Sequence, residues 1–284
     1  MPMEEIQTIC ICGAGTMGSG IAQVAAQAGF RTIQYDVQTN MLDKSKAAIA
    51  ASVQQLVAKQ KLTAEAAQAV QDRLRFTNNI ADCKADVVIE AIVEKPAVKL
   101  ALFQQLAAVN NAQCIFTSNT SSLSITELQE QVVHPERFAG MHFFNPATHM
   151  KLVEVVKGKQ TAQYVVDTLY ALANTMGKVP VHCNDAPGFI VNHIARPYYL
   201  EAMRLVESGA ATMEQVDAVM EATGFKMGPF KLMDLIGLDI NYSVSEIVWE
   251  ALGKPDRLTP AAMQKTKVDA GELGRKTGKG FYEY

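Results

Sequence analysis

The chain has 284 residues, 49% hydrophobic and 19% charged, ordinary values for a soluble globular protein of one large or two moderate domains. The formal net charge is −3, which gives no electrostatic case for a nucleic acid or a membrane surface as partner. The first basic residue is Arg31, so no secretory or Arg-rich transit segment is expected, and no apolar run approaches the ~20 residues of a membrane helix. Cys10, Cys12, Cys83, Cys114 and Cys183 are odd in number and contain no C-x-x-C. They read as reduced thiols of a cytoplasmic protein, not as metal ligands or bridges.

In chain order, residues 6–12 form a short apolar run, a buried parallel strand. Gly13, Gly15 and Gly18 follow as G-x-G-x-x-G, with Thr16 and Met17 between them, and lead into a helix over 19–28. A second strand covers 31–35 and ends at Asp36. In this pattern Gly13 permits a tight turn, Gly15 a close approach to a pyrophosphate, and Gly18 close helix–strand packing. The helix N-terminus offers free N–H groups to phosphates. Asp36 can accept the adenosine ribose hydroxyls and repel a 2′-phosphate, which favours NAD over NADP.

Residues 37–61 and 63–74 read as two helices, a hairpin standing off the sheet, with Thr63 capping the second. Lys44, Lys46, Lys59 and Lys61 decorate it, either as a solvated face or as a clamp for a phosphate-bearing ligand. A strand over 85–92 carries Glu90, and Glu94 and Lys99 flank the start of a helix over 96–109. Another strand, 113–117, runs into the polar loop 118–122 at its carboxyl end, where open α/β sheets bind ligands. Ser124 and Glu127 make a capping box for the next helix, whereas Ser121 and Ser122 have no role that local rules require.

Residues 138–144 and 151–156 read as neighbouring strands with Asn145-Pro146 between them. His142 lies in the first and Glu154, flanked by Val153, Val155 and Val156, in the second. A carboxylate there is costly unless paired, and adjacent strands bring it to the imidazole. The competing reading is a core histidine and an edge-strand glutamate. A helix over 161–175 and a strand over 179–182 follow. From Asp185 onward the pattern is helical without a convincing strand, with helices over 188–207, kinked at Pro197, and 212–222, and others opening at Pro229 and Pro260. The expected fold is therefore α/β: a Rossmann-type domain with a helical hairpin insertion over 1–185, then an all-α domain over 186–284.

Taken together, GAGTMGSGIA (13–22), SNTSSLSITE (118–127), HFFNP (142–146), MKLVEV (150–155), PGFIVN (187–192), MGPF (227–230) and GRKTGKGFY (274–282) resemble the short, single-function L-3-hydroxyacyl-CoA dehydrogenases, bacterial 3-hydroxybutyryl-CoA dehydrogenases in particular. The resemblance implies an NAD-dependent oxidoreductase that interconverts (S)-3-hydroxyacyl-CoA and 3-oxoacyl-CoA in fatty acid or butyrate metabolism. It implies His142 as catalytic base, Glu154 as its paired acid, and Ser121 and Asn192 as substrate contacts. It assigns Asp36 to the ribose, Glu94, Lys99, Asn145 and Lys276 to further NAD contacts, and Ser52 and Lys59 to CoA. It implies a homodimer, and Asn192 places the expected site between the domains. Thr148, His149 and His193 depart from the family pattern and bear on acyl-chain preference. Two rivals are a silent NAD-binding or structural relative and a dehydrogenase of free 3-hydroxy acids. The second depends on a catalytic lysine in its helical domain.

Overall fold

A computed structural model describes residues 5–284. The chain divides into two compact units, the first ending at Asp185 and the second running Ala186–Tyr284.

The first unit is built on one eight-stranded sheet. Its strands are β1 (Thr8–Cys12), β2 (Arg31–Tyr35), β3 (Leu74–Thr77), β4 (Val87–Glu90), β5 (Ile115–Ser118), β6 (Phe138–Phe143), β7 (Leu152–Lys157) and β8 (Val179–Asn184), in the order β3-β2-β1-β4-β5-β6-β7-β8. All ladders are parallel except β6–β7. The helices are α1 (Thr16–Gln27), α2 (Thr39–Ala58), α3 (Ala64–Asp72), α4 (Pro96–Val109), α5 (Ile125–Gln129) and α6 (Gln163–Thr175). Strands β4 and β5 are fully buried, and β1 is buried after Thr8, as apolar runs covered on both faces should be. Their core joins Ile9, Ile11, Ile89 and Val153 to Ile21 of α1 and Leu169 of α6. The chain leaves β1 toward β2 and β3, then returns to β4 on β1's other side. That reversal opens a crevice at the carboxyl ends of β1 and β4.

Four details differ from the sequence expectation. The helix expected to reach Leu74 ends at Asp72, and Leu74–Thr77 becomes β3, paired with β2. Four residues of mixed burial are too short to display a period. Helix α1 begins at Thr16, inside the glycine motif, instead of Ser19. The long helix α7 (Val191–Glu207) begins three residues later than expected, because Gly188 and Phe189 are left-handed with φ of 73° and 53°. Ser124 caps α5 by accepting from the Glu127 amide, but its hydroxyl also donates to Asp185.

The second unit holds α7, α8 (Met213–Ala222), α9 (Pro229–Ile236), α10 (Leu238–Ala251) and α11 (Ala262–Asp269). Thr212 and Gln215 form the reciprocal capping box that the sequence predicts for α8. Tyr199, Leu200, Met203, Phe230, Met233, Leu238 and Phe281 make its core. The carboxyl-terminal segment is held by two buried acids. Asp234 accepts from the amides of Phe281 and Tyr282, and Asp217 accepts from the Tyr282 hydroxyl. All five cysteines are buried and unbridged, and no helix among the described residues is long and apolar enough to cross a membrane.

Candidate active site

The glycine loop joins β1 to α1. A side chain at Gly13, whose φ is 114°, would put its Cβ 2.4 Å from the Ala91 carbonyl oxygen. At Gly18 the Cβ would lie 2.0 Å from the Gly13 oxygen, so α1 can approach the loop only without it. Gly15 is the opposite case. A Cβ there meets nothing within 4 Å, which leaves open space over the loop. Gly15 is also the N-cap of α1 and supplies no capping side chain, so the first-turn N–H groups have no side-chain acceptor from their cap.

The loop is braced from below. The Gly13 amide donates to the Tyr35 carbonyl, Gln34 Nε2 donates to the Gly13 carbonyl at 3.1 Å, and Ser45 donates to Gln34 at 2.7 Å. Asp36 stands beside it, taking the Ala14 amide on Oδ2 at 2.8 Å and the Gln38 amide on Oδ1 at 2.9 Å. Each oxygen retains a lone pair, and the side chain is half-buried. Uncovered helix N–H groups, open space over Gly15 and an acid at the end of β2 fit a dinucleotide whose ribose bears no 2′-phosphate.

A charge cluster occupies the ends of β4 and β5. Lys99 of α4 is 1% exposed and paired with Glu90 at 2.6 Å and Glu94 at 3.0 Å. Glu90 also accepts from the Ile92 amide and from Ser118 Oγ. Burial nevertheless pushes its carboxyl up, against the opposing pull of Lys99 and these donors. The second Glu94 oxygen takes the Thr120 hydroxyl and the Ser121 amide. Glu94 thus gathers the 118–122 loop, in which Ser121 is half-buried. Lys99, expected to touch the cofactor, lies beneath that loop and reaches it through Glu94.

The antiparallel β6–β7 ladder puts His142 directly opposite Glu154. Directly opposed side chains share a face, and here Nδ1 and Oε2 are 2.8 Å apart. Both are nearly buried, at 5% and 1% side-chain exposure. A carboxylate oxygen only accepts, so Nδ1 donates the shared hydrogen and Nε2 is left to face other groups. The Phe144 ring centroid lies 4.5 Å from that of His142. Asn145 follows on the surface, joined to Pro146 by a cis peptide bond. Asn119 fixes the neighbouring backbone by accepting the Phe143 amide.

The remaining expected residues are placed as follows. Ser52 is half-buried on α2 and Lys59 is exposed at its C-cap. Asn192 lies in the first turn of α7, and its carbonyl accepts from Arg196 Nε. Lys276 is exposed and paired with both oxygens of Asp239. His193 puts Nδ1 3.0 Å from the Pro187 carbonyl. Thr148 and His149 bond to each other. Sequence reasoning assigned no role to Gln34, Ser45, Glu90 or Asn119. Gln34 and Glu90 are polar side chains inside apolar strands, a misfit that could have exposed them, whereas Ser45 between two lysines and Asn119 in a polar loop carry no such signal.

A dinucleotide-type glycine loop at the switch point, with a carboxylate-paired imidazole three strands along the sheet, fits the class of nicotinamide-dependent dehydrogenases. Comparison with known proteins narrows the class. The model described as "3-hydroxyacyl-CoA dehydrogenase, NAD binding domain" matches residues 8–186, and "3-hydroxyacyl-CoA dehydrogenase, C-terminal domain" matches 188–284. The chain belongs to the 3-hydroxyacyl-CoA dehydrogenase family.

It is 46% identical to the 3-hydroxyadipyl-CoA dehydrogenase of Escherichia coli (strain K12) over 99% of its own residues, spanning 60% of that longer protein. It is 42% identical to the probable 3-hydroxybutyryl-CoA dehydrogenase of Deinococcus radiodurans, covering 96% of this chain and 99% of the relative. The crystal structure of the (S)-3-hydroxybutyryl-CoA dehydrogenase from Ralstonia eutropha superposes with a TM-score of 0.94 at 37% identity, over 99% of both chains.

Proposed function

We propose that this chain interconverts (S)-3-hydroxyacyl-CoA and 3-oxoacyl-CoA with NAD(H), with 3-hydroxybutyryl-CoA as the reference substrate. The carrying observation is the buried His142–Glu154 pair, in register at 2.8 Å on two interior strands of a dinucleotide fold. His142 Nε2 takes the proton of the 3-hydroxyl during oxidation and returns it during reduction. Glu154 holds the ring in the required tautomer and stabilises the imidazolium as it forms. NAD, when bound, supplies the hydride acceptor at its nicotinamide. The glycine loop and Asp36 bind its pyrophosphate and ribose, and Glu94 and Asn145 contact it further along.

Ser121 orients the reacting oxygen, a positioning effect. Asn192 and Lys276 keep the substrate and cofactor roles that the family pattern gives them, and Ser52 and Lys59 grip CoA. Five buried thiols without a bridge support a reducing compartment such as the cytoplasm. Ile194, Val219, Leu235 and Ile240, each at least half exposed on the helical unit, support assembly as a homodimer.

The test is NADH oxidation with acetoacetyl-CoA, with free acetoacetate and an ω-carboxylated 3-oxoacyl-CoA as comparison substrates. His142→Gln is expected to bind NADH as wild type does and to lose roughly 10²–10⁴ in kcat. Activity within a few-fold of wild type removes His142 as the proton carrier. Turnover of free acetoacetate alone favours the free-acid dehydrogenase, and NADH binding without turnover of any thioester favours a silent relative.

A further inference from the structure

Lys178 is a buried cation that the proposed reaction does not use. It follows α6, which ends in a left-handed Gly177 with φ of 70°. The Gly177 amide donates to Asn174 and the Lys178 amide to Ala173, the paired bonds of a Schellman turn. That turn sets Lys178 immediately before β8, where it is 8% exposed. Its ammonium donates to the Ala147 carbonyl at 2.5 Å and to the Met150 carbonyl at 3.0 Å. No carboxylate pairs with it among the described residues, and burial alone draws its basicity down. Buried ammonium groups are ordinarily paired with an acid. This one is committed wholly to the backbone of one loop.

That loop is the eight-residue connection from β6 to β7, between His142 and Glu154, and it carries Asn145. The amides of His149 and Met150 both donate to the Pro146 carbonyl, so the turn is wound tightly, and Lys178 gathers two of its other carbonyls from inside. The loop also packs against the dinucleotide helix. Ala147 is 2% exposed, and its Cβ lies 3.1 Å from where a Cβ on Gly20 of α1 would stand. One segment therefore touches α1 and both strands of the imidazole–carboxylate pair.

We propose that Lys178 is a positioning residue, fixing the 145–150 loop so that Asn145 meets the cofactor and His142 faces the reacting carbon. This rests on the reaction proposed above. Lys178 touches neither substrate nor cofactor and acts through the loop's backbone.

The test compares wild type with Lys178→Met, which keeps the stem and removes the donors. Lys178→Gln, whose shorter head cannot reach both carbonyls, serves as a second variant should the first fail to fold. Three quantities are read: amide hydrogen exchange over 145–150, the Kd for NADH, and kcat with KM for acetoacetyl-CoA per titrated active site. Exchange over 145–150 is expected to accelerate at least tenfold. The NADH Kd should rise about tenfold and kcat should fall by roughly ten- to a hundredfold, with KM for the thioester within twofold, since a misplacement near 1 Å costs on that order.

A purely structural lysine would lower thermal stability and the active fraction while leaving Kd and kcat per active site unchanged, and that result overturns the proposal. Wild-type exchange rates over 145–150 in the variant overturn it equally. Wild-type protein that binds no NADH overturns the reaction instead, and the exchange measurement then still decides whether Lys178 holds the loop.

Discussion

Replacing Glu154 by Gln isolates what the carboxylate charge does for His142. The change is isosteric, and the amide oxygen can still accept the Nδ1 hydrogen now held at 2.8 Å. At 1% exposure the site has little water to compensate for the lost charge. Two unit charges ~4 Å apart in an effective dielectric of ~20 attract by about 4 kcal/mol. The retained neutral hydrogen bond keeps about 1 kcal/mol of that. About 3 kcal/mol of imidazolium stabilisation is therefore lost, roughly two powers of ten in kcat. Because the charge forms only as the proton arrives, the loss should fall on kcat and leave both KM values within a few-fold. Steady-state NADH oxidation with acetoacetyl-CoA, with NADH affinity from fluorescence titration, gives all the numbers needed. A kcat within threefold of wild type would mean that Glu154 orients the ring and nothing more.

The charge cluster under the 118–122 loop gives a pH effect. Because burial raises the Glu90 carboxyl in the folded state, the folded chain binds more protons than the unfolded one between the ordinary carboxyl pKa of about 4.3 and that raised value. Glu90 therefore lowers stability as pH climbs through this window, and in Glu90→Gln, compared by urea unfolding at successive pH values, that negative slope should disappear. In the helical unit, Asp234→Ala removes the acceptor of the Phe281 and Tyr282 amides and of the Tyr284 hydroxyl. One buried and one half-buried amide left without a partner should cost about 2–3 kcal/mol in chemical unfolding, and protease should then release the carboxyl-terminal residues.

Much of this was legible from residue order because the signals were local. The glycine motif and the capping box of α8 depend on residues a few positions apart, and Asp36 on its place at the end of one short strand; each stands where the pattern put it. The His142–Glu154 pair was legible for a different reason. A charged residue among valines demands a partner, and an eight-residue link between strands permits only an antiparallel return. What escaped depends on distance in the chain. Lys178 lies 28 and 31 residues from the carbonyls it holds. Lys99 is nine residues from Glu90, yet nothing in the order says that its ammonium turns inward under the loop and away from a ligand. Strand β3 exists because β2 offers it an edge, a tertiary cause that a four-residue stretch cannot announce.

The sheet's one antiparallel ladder carries the site for a geometric reason. A parallel neighbour of β6 would need a crossover of a dozen or more residues, and its side chains would not stand in directly opposed pairs. The tight reversal sets position 142 against position 154 and leaves between them the loop that Lys178 holds. If that placement is what matters, exchanging the two residues separates pairing from catalysis. The double variant His142→Glu with Glu154→His retains an imidazole and a carboxylate in register on the same face. Its unfolding free energy should stay within about 1–2 kcal/mol of wild type, whereas each single variant leaves like groups opposed or a buried group without its partner. Its ring, however, now projects from β7, displaced by a strand spacing of about 4.8 Å, and a displacement near 1 Å already costs about a hundredfold. The double variant should fold, bind NADH and turn over no faster than His142→Gln. Turnover within tenfold of wild type would show that any buried imidazole–carboxylate pair in this ladder suffices, and that the strand on which the imidazole stands is immaterial.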